Sequence, residues 1–256
     1  MNFKVLIASL AFVAFGGAVA EAADLPVHPA PPPLAPLVAN WTGFYLGANV
    51  GGAWANNNWT DTFQTSFNNG NVGVFIGGGQ IGGNYQIGQF VVGGEWDFDW
   101  ASNNNNNGGN GIAQDGSNIT VTDNNRWITT VAARFGAAID QLLIYGKAGW
   151  GWVGDNNLAV TNLTTGASLT CGSFTTCGNN SDGWLVGVGA EWLIVPNVSV
   201  KFEYDYLALS SRTFVIPATA PLLAGDTFIS KNRDISMVKV GVNYLFNWAT
   251  PVAARY

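Results

Sequence analysis

The sequence predicts an all-β fold in which eight antiparallel strands close into a transmembrane barrel. Three observations predict it. Eight segments alternate apolar and polar residues with a period of two, which is typical of a strand with two unlike faces. The charged residues of these segments fall on one face, and the connections between segments alternate between short turns and long polar loops.

The composition favours a membrane protein without spanning helices. Apolar residues make up 48% of the 256 residues and charged residues only 10%, against roughly 25% charged residues in an ordinary soluble domain. Beyond the N-terminus, no apolar run approaches the roughly 18 residues that a transmembrane helix needs. The net charge of −6, without a basic cluster, argues against nucleic acid as a partner, because phosphate binding depends on grouped Lys and Arg.

The N-terminus has the features of a secretory signal peptide. Lys4 supplies the positive charge, Val5 to Val19 form an apolar run, and Ala20 to Ala22 form a small-x-small cleavage pattern. An uncleaved membrane anchor is the weaker alternative. The prolines that follow favour an extended linker or tail. The predicted division is a signal peptide at 1–22, a Pro-rich periplasmic tail at 23–40, an outer-membrane barrel at 41–248 and a short C-terminal tail at 249–256.

The predicted strands lie near 41–54, 73–86, 88–101, 125–139, 141–154, 183–195, 197–210 and 235–248. Tight turns join three pairs of them, at 86–89, 139–141 and 195–198. Long loops lie near 55–72, 102–124, 155–182 and 211–234. Because bacterial outer-membrane barrels have short turns at one end and long loops at the other, we expect short periplasmic turns and four long extracellular loops.

The alternation also predicts which face of the strands meets lipid. In the last segment Val240 and Val242 oppose Lys239 and Gly241. A Lys or Arg facing lipid at mid-bilayer costs roughly 2–4 kcal/mol, so we expect the valines to face lipid and the charges to face the lumen. Tryptophans near strand ends predict two interfacial girdles, formed by residues such as Trp41, Trp54, Trp100, Trp127, Trp152, Trp184 and Trp248.

The charged faces predict a lumen charge network. Its predicted members are Glu95, Arg134, Lys147, Glu191, Lys201, Glu203, Asp205 and Lys239. Charges in so narrow a lumen are costly unless they are paired, so we expect them to pair and to plug the barrel. A narrow polar channel is the rival interpretation. The acidic series Glu95, Asp97 and Asp99 resembles a cation site, but a salt-bridge network is favoured.

Few residues of the chain favour catalysis or a cofactor. The single histidine, His28, lies in the tail, so neither a catalytic base nor a metal site is indicated and we expect no enzyme activity and no cofactor. Cys171 and Cys177 lie close together in the third long loop. In an exported protein they predict a loop disulfide, and a metal-binding pair is the weaker option.

The last strand resembles a known assembly signal. Lys239, Gly241, Tyr244 and Phe246 match the polar, glycine, aromatic, aromatic pattern of the C-terminal β-signal, although ten residues follow Phe246 here. Together with WTGFYLGANVGGAW after an AADLP start and a Pro-rich tail, the chain resembles the alphaproteobacterial outer-membrane immunogenic proteins, a branch of the OmpA-like porin-family barrels.

This resemblance implies a structural, surface-exposed barrel of the outer membrane that contributes to envelope integrity, with haem or host-surface binding in some members. A narrow small-solute channel is the alternative function. The expected partners are outer-membrane lipid, the assembly machinery that reads the last strand, and a host or environmental ligand at the loops, where binding residues concentrate.

Overall fold

A computed structural model describes residues 39–60, 66–102, 110–112, 116–122, 125–155, 159–170, 173–174, 180–217 and 227–246. None of these residues belongs to a helix with the length and apolar character needed to cross a membrane. The predicted signal peptide, the end of the chain beyond Phe246, and both cysteines lie outside the described residues.

The described residues form thirteen strands. They are β1 (Gly43–Thr60), β2 (Ser66–Ile87), β3 (Phe90–Ala101), β4 (Asn110–Ile112), β5 (Asn118–Thr122), β6 (Asn125–Ile139), β7 (Leu142–Asp155), β8 (Ala159–Asn162), β9 (Ser168–Thr170), β10 (Asn180–Val195), β11 (Val198–Leu209), β12 (Arg212–Val215) and β13 (Thr227–Phe246).

Eight long strands close into the barrel that the sequence predicts. Their order is β1-β2-β3-β6-β7-β10-β11-β13, every pairing is antiparallel, and β13 pairs with β1 to complete the ring. The first and last barrel strands meet with Phe44 opposite Phe246. The predicted eight-stranded antiparallel barrel is confirmed.

Two-residue turns lie at one end of the barrel, which we call the turn end. They are Gly88–Gln89, Asp140–Gln141 and Pro196–Asn197. In two of these turns the first residue, Gly88 (φ 62°) or Asp140 (φ 51°), adopts the left-handed backbone that is common in tight hairpins, and Asp tolerates it better than most residues. The opposite end, with the longer connections, is the loop end. In outer-membrane barrels the turn end faces the periplasm and the loop end faces the outside.

The barrel strands extend further toward the loop end than predicted. The predicted loops at 55–72 and 211–234 are too long, because β1 continues to Thr60, β2 begins at Ser66 and β13 begins at Thr227. At about 3.3 Å per residue, β2 is roughly 70 Å long, which exceeds an apolar band of about 25 Å even at a tilt of about 40°. Outside the lipid, strands still pair through their backbone hydrogen bonds but no longer need an apolar face. Polar segments can therefore continue a strand there.

The loop end also carries a second sheet that the sequence did not predict. Strands β4, β5, β8 and β9 form it in that order, within the segments expected to be loops at 102–124 and 155–182. One face is buried and apolar, with Ile119, Val121, Val160 and Leu169. These strands have three to five residues, too few for a period-two pattern to stand out.

The barrel strands expose their apolar face and bury their charged face. Val240 is 45% exposed and Val242 is 49% exposed, whereas Lys239, which directly precedes Val240, is fully buried. Most of the other described tryptophans of the predicted girdles, such as Trp54, Trp100 and Trp184, are exposed as the girdles require. Trp41 contradicts the girdle prediction because it precedes β1 and is buried at the turn end.

Candidate functional site in the barrel lumen

The lumen contains three layers of side chains. The turn-end cluster comprises Trp41, Tyr45, Val91, Leu143, Tyr145, Leu193 and Leu245. The loop-end cluster comprises Ala53, Ile76, Ile128, Ala132, Val153, Leu185, Leu207, Leu209, Ile235 and Met237. The charged layer comprises Glu95, Asp97, Asp99, Arg134, Lys147, Glu191, Lys201, Glu203, Asp205 and Lys239, all of them buried.

The order of residues along individual strands places the charged layer between the two apolar clusters. On β13, Met237 of the loop-end cluster is followed by Lys239 and then, toward the turn end, by Leu245. On β10, Leu185 belongs to the loop-end cluster and Leu193 to the turn-end cluster, with Glu191 on the same face between them. Apolar side chains therefore cover the charges from both ends.

Three lysines link several strands of the barrel wall through shared carboxylates. Lys147 Nζ lies 2.7 Å from Glu203 Oε1 and 3.0 Å from Asp205 Oδ2. Lys239 Nζ contacts the same two oxygens at 3.2 and 2.9 Å. Lys201 Nζ lies 3.2 Å from Glu95 Oε2 on β3. Since β3 and β11 are four strands apart in a ring of eight, the Lys201–Glu95 pair crosses the full width of the lumen.

Arg134 occupies the part of the charged layer nearest the turn-end cluster. Its Nη2 donates to Glu191 Oε2 at 2.7 Å, and its Nη1 lies 3.3 Å from Glu95 Oε2. The guanidinium carbon lies 3.9 Å from the centroid of the Tyr145 ring and 5.2 Å from that of Tyr45, within cation–π range. Tyr45 in turn donates its hydroxyl to Glu95 Oε2 at 2.8 Å. The arginine is therefore paired, hydrogen-bonded and stacked.

Neutral polar side chains extend the network around the barrel wall. The other Glu191 oxygen accepts hydrogen bonds from Ser199 Oγ and from Asn243 Nδ2. Asn243 Oδ1 accepts from Gln80 Nε2 at 2.7 Å, and Gln80 Oε1 accepts from Asn49 Nδ2 at 3.0 Å. Hydrogen bonds of this kind favour one arrangement of a buried network.

Two glycines make room for the tyrosines that cover Arg134. A Cβ built at Gly82 would overlap the Tyr45 hydroxyl, and one built at Gly189 would overlap the Tyr145 ring. Each tyrosine therefore lies across the strand next to its own, against bare backbone. In a barrel of eight strands the interior is only just wide enough for side chains, so large rings require such gaps.

The structure places all eight predicted network residues in the charged layer, together with Asp97 and Asp99. Sequence reasoning missed the partner tyrosines, the amide chain and both apolar clusters. A signal for the clusters was present: Leu143, Leu193 and Leu245 occupy the same alternating face as the charges, near the strand ends at the turns. Apolar residues on the lumen face near a strand end indicate that the lumen is covered there and is not lined as a polar pore.

One acidic trio has the spacing of a metal site. Glu95, Asp97 and Glu203 offer oxygen atoms that lie within 4.8 Å of one another. Lys147 Nζ, however, lies within 3.4 Å of an oxygen of each, and Lys201 Nζ within 3.7 Å of each. The two ammonium groups already supply the positive charge that this trio needs.

The residues of the predicted assembly signal divide between the two faces of β13. Lys239 and Gly241 are buried on the lumen side, whereas Tyr244 and Phe246 are about half exposed on the lipid side. The two aromatic rings lie 4.9 Å apart between centroids, in an edge-to-face arrangement. They lie where β13 closes on β1.

Comparison with known proteins agrees with this architecture. Residues 9–246 match the family model of the outer membrane protein beta-barrel domain. The chain is similar to the 31 kDa outer-membrane immunogenic protein of Brucella melitensis biotype 1, with 31% identity over 257 residues, 95% of this chain and 99% of that protein. It is 28% identical over 231 residues to the 22 kDa outer membrane protein of Rhizobium leguminosarum bv. viciae, covering 88% and 83% of the two chains.

Among solved structures, the outer membrane protein OprG from Pseudomonas aeruginosa aligns with a TM-score of 0.43 and 9% identity, over 82% of this chain and 99% of that one. The family match and the immunogenic-protein relatives agree with the resemblance drawn from the first and last strands. The chain belongs to the outer membrane protein β-barrel family and is a protein of the bacterial outer membrane.

Proposed function

We propose that the chain is a structural barrel that is closed to solutes, contributes to envelope integrity and displays a folded surface at its loop end. The observation that carries this proposal is the charged layer lying between two apolar clusters. A path for ions or sugars would have to cross both clusters and separate the ion pairs in between. Breaking a buried pair leaves an uncompensated charge, which costs about 3–5 kcal/mol.

Conductance in planar lipid bilayers tests closure. We expect the purified, refolded chain to show no steady single-channel current. The variant Lys147→Gln probes the lumen, and Val188→Ala, on the lipid face, is its matched control. Steady wild-type currents that Lys147→Gln alters and Val188→Ala leaves unchanged would establish the narrow channel instead.

The second sheet supports a role in surface binding. Asn110, Thr120, Thr161 and Ser168 lie directly opposite one another across its four strands, on the face away from the buried apolar residues. The hydroxyls of Thr161 and Ser168 are 3.0 Å apart and form a hydrogen bond. This row gives the loop end an ordered, uncharged face rich in hydroxyl and amide groups, suited to an adhesin.

Adhesion of bacteria to cultured epithelial cells tests this second role. The variant Thr161→Arg places a long charged side chain in the row and should reduce adhesion, whereas Gly94→Ala on the lipid face should leave it unchanged. Equal adhesion of all three strains, at equal surface amounts of the protein, would show that this sheet is not the binding surface.

We also propose that the barrel is not an enzyme and binds no haem. Residues 41–248 contain no histidine, and the ion-paired lumen carboxylates are enclosed by apolar side chains. Axial haem ligands are usually His, Cys, Met or Tyr. Met237 is fully buried, and the lumen tyrosines Tyr45 and Tyr145 already donate their hydroxyls to Glu95 and Glu203. A haem titration of the refolded barrel should leave the Soret band at the position of free haem. A saturable Soret shift would contradict this.

Assembly is proposed to follow from the last strand. Replacing Tyr244 and Phe246 by alanine should lower the fraction of protein that reaches the folded, heat-modifiable form in cells, and Val240→Ala on the same face is the control.

Mass spectrometry of the mature protein tests the predicted cleavage of the signal peptide after Ala22. Together with thiol titration, it also tests the predicted disulfide between Cys171 and Cys177. An N-terminus at Met1, or two titratable thiols, would contradict those predictions.

A further inference from the structure

The closing seam of the barrel, where β13 pairs with β1, is a pairing whose register no connecting segment restricts. Two-residue turns set the register of β2 with β3, of β6 with β7 and of β10 with β11, and longer connections join the other neighbours. Because β1 and β13 are the first and last barrel strands, their register depends on contacts between the strands themselves.

The alternation of apolar and polar residues excludes only half of the wrong registers. A slip by one residue would turn Asn243 toward lipid and Val242 toward the lumen, so every residue of the strand would face the wrong side. A slip by two residues, about 7 Å along the strand, keeps each side chain on its own face. Another feature must therefore select the observed register, in which Gly47 lies opposite Asn243.

An amide pair crosses the closing seam on its lumen side. Gly47 of β1 lies opposite Gln80 of β2 on one side and opposite Asn243 of β13 on the other. Gln80 Nε2 donates to Asn243 Oδ1 at 2.7 Å above Gly47, where a Cβ would overlap both amide groups. Both side chains are at most 2% exposed. The neighbours of β1 are therefore joined directly over its bare backbone.

Surrounding residues hold the amide pair in one orientation. Asn49 Nδ2 donates to Gln80 Oε1 at 3.0 Å, and Asn243 Nδ2 donates to Glu191 Oε1 at 2.7 Å. Gly241 of β13 also lies beneath the Gln80 amide, since a Cβ at this position would lie 3.1 Å from Gln80 Nε2. Glycines on both strands of the closing seam thus make room for the glutamine.

Small and large residues along the closing seam match in the observed register. A slip by two residues in either direction would place a glycine opposite Gly241 and a second polar residue opposite Asn49. Either slip would also move Asn243 about 7 Å away from its place beside Gln80. The observed lumen-facing pairs each combine a glycine with a longer polar residue: Gly47 with Asn243, Asn49 with Gly241, and Gly51 with Lys239.

We infer that the hydrogen-bonded pair of Gln80 and Asn243 over Gly47 selects the register in which the barrel closes. Lysine ion pairs also cross the lumen, but they discriminate less between registers, because an ammonium group on a flexible stem can follow a displaced strand. Two short amides joined over a glycine cannot do so. This role is independent of whether the lumen conducts and of what the loop end binds.

Disulfide trapping on the lipid side of the closing seam tests the inference. In chains whose two native cysteines are replaced by serine, Ala48→Cys is combined with Val242→Cys, which lies opposite in the observed register. Two further chains combine it with Val240→Cys or Tyr244→Cys, which would lie opposite after a two-residue slip. Diagonal neighbours lie about 7–8 Å apart, too far for a disulfide, so each pair reports one register.

The chains are refolded into lipid vesicles without assembly machinery, oxidised, and analysed by mass spectrometry of their peptides. We expect a high yield of the disulfide between positions 48 and 242 and low yields of the two slipped disulfides. Gln80→Met keeps the length of the side chain but loses two buried hydrogen bonds, so the ratio of slipped to native yield should rise at least about tenfold. Gln89→Met, in an exposed turn, is the matched control and should leave the ratio unchanged.

A second variant keeps the test decisive if Gln80→Met does not fold. Gln80→Asn retains the amide but is too short to reach across Gly47, so it should also raise the slipped yield. Folding of every sample is checked by heat-modifiable mobility. Both variants giving the same yields as Gln89→Met would overturn the inference. Loss of folding in both variants without any slipped disulfide would also overturn it, because the pair would then support stability and not register.

Discussion

Replacing Arg134 by methionine should be among the most destabilising single changes in the lumen. The substitution keeps an apolar stem of similar length but removes the charge that pairs with Glu191 at 2.7 Å and with Glu95 at 3.3 Å. It also removes the cation that lies between the rings of Tyr45 and Tyr145.

The size of the effect follows from what remains around the two carboxylates. Breaking a buried ion pair costs about 3–5 kcal/mol, and a desolvated cation–π contact contributes about 2 kcal/mol. Glu191 keeps its hydrogen bonds from Ser199 and Asn243, and Glu95 keeps Lys201, so the terms do not add fully. We expect Arg134→Met to lower the free energy of unfolding by about 3–5 kcal/mol.

Urea unfolding in lipid vesicles, followed by tryptophan fluorescence and by heat-modifiable mobility, measures this free energy. The matched double variant Arg134→Met with Glu191→Gln removes both charges and should recover at least about 1 kcal/mol. Arg134→Lys keeps the charge but loses the forked donors and should fall between wild type and Arg134→Met. A loss below about 1 kcal/mol for Arg134→Met, or a double variant less stable than the single one, would refute the reasoning.

Three further substitutions test separate parts of the barrel by the same unfolding measurement. Gly189→Ala should destabilise the barrel because its Cβ would overlap the Tyr145 ring. Its control, Gly94→Ala, should be neutral because the nearest atom to its Cβ would lie 3.8 Å away. Equal effects of the two substitutions would contradict the close packing at Gly189. Trp41→Ala should cost about 3–5 kcal/mol, because it removes the largest buried side chain of the turn-end cluster. No loss of stability would show that this residue does not help to cover the charged layer at the turn end. Val240→Lys should cost about 2–4 kcal/mol if this position lies at mid-bilayer, and a neutral result would contradict the lipid-facing assignment.

The sequence predicted the barrel well because membrane and lumen impose opposite demands on alternate residues. The pairs Val240 with Lys239 and Phe202 with Lys201 indicate the two faces without knowledge of any contact. The loop end was predicted less well, because outside lipid this constraint disappears. The polar ends of β1 and β13 and the short strands β5 and β8 depend on backbone pairing that alternation does not reveal.

The lumen was predicted as a set of charges but not as an arrangement. Alternation assigns Arg134 and Glu191 to the inner face, yet their contact depends on the shear of the barrel, which shifts residues of distant strands to new heights. Trp41 shows the same limit of sequence-based prediction for a residue that lies outside the strands. Its position beside β1 suggested a girdle residue, and only the path of the chain before Gly43 places it in the turn-end cluster.

Proton exchange at the lysine side chains measures closure of the lumen most directly. Lysine labelled with ¹⁵N gives ammonium signals whose exchange with water can be followed by NMR in detergent or nanodiscs. Lys147, Lys201 and Lys239 are at most 4% exposed, so three ammonium signals should exchange slowly and broaden little as the pH rises. Ammonium signals for all three that exchange as fast as those of free lysine would show that water fills the lumen and that the barrel is open.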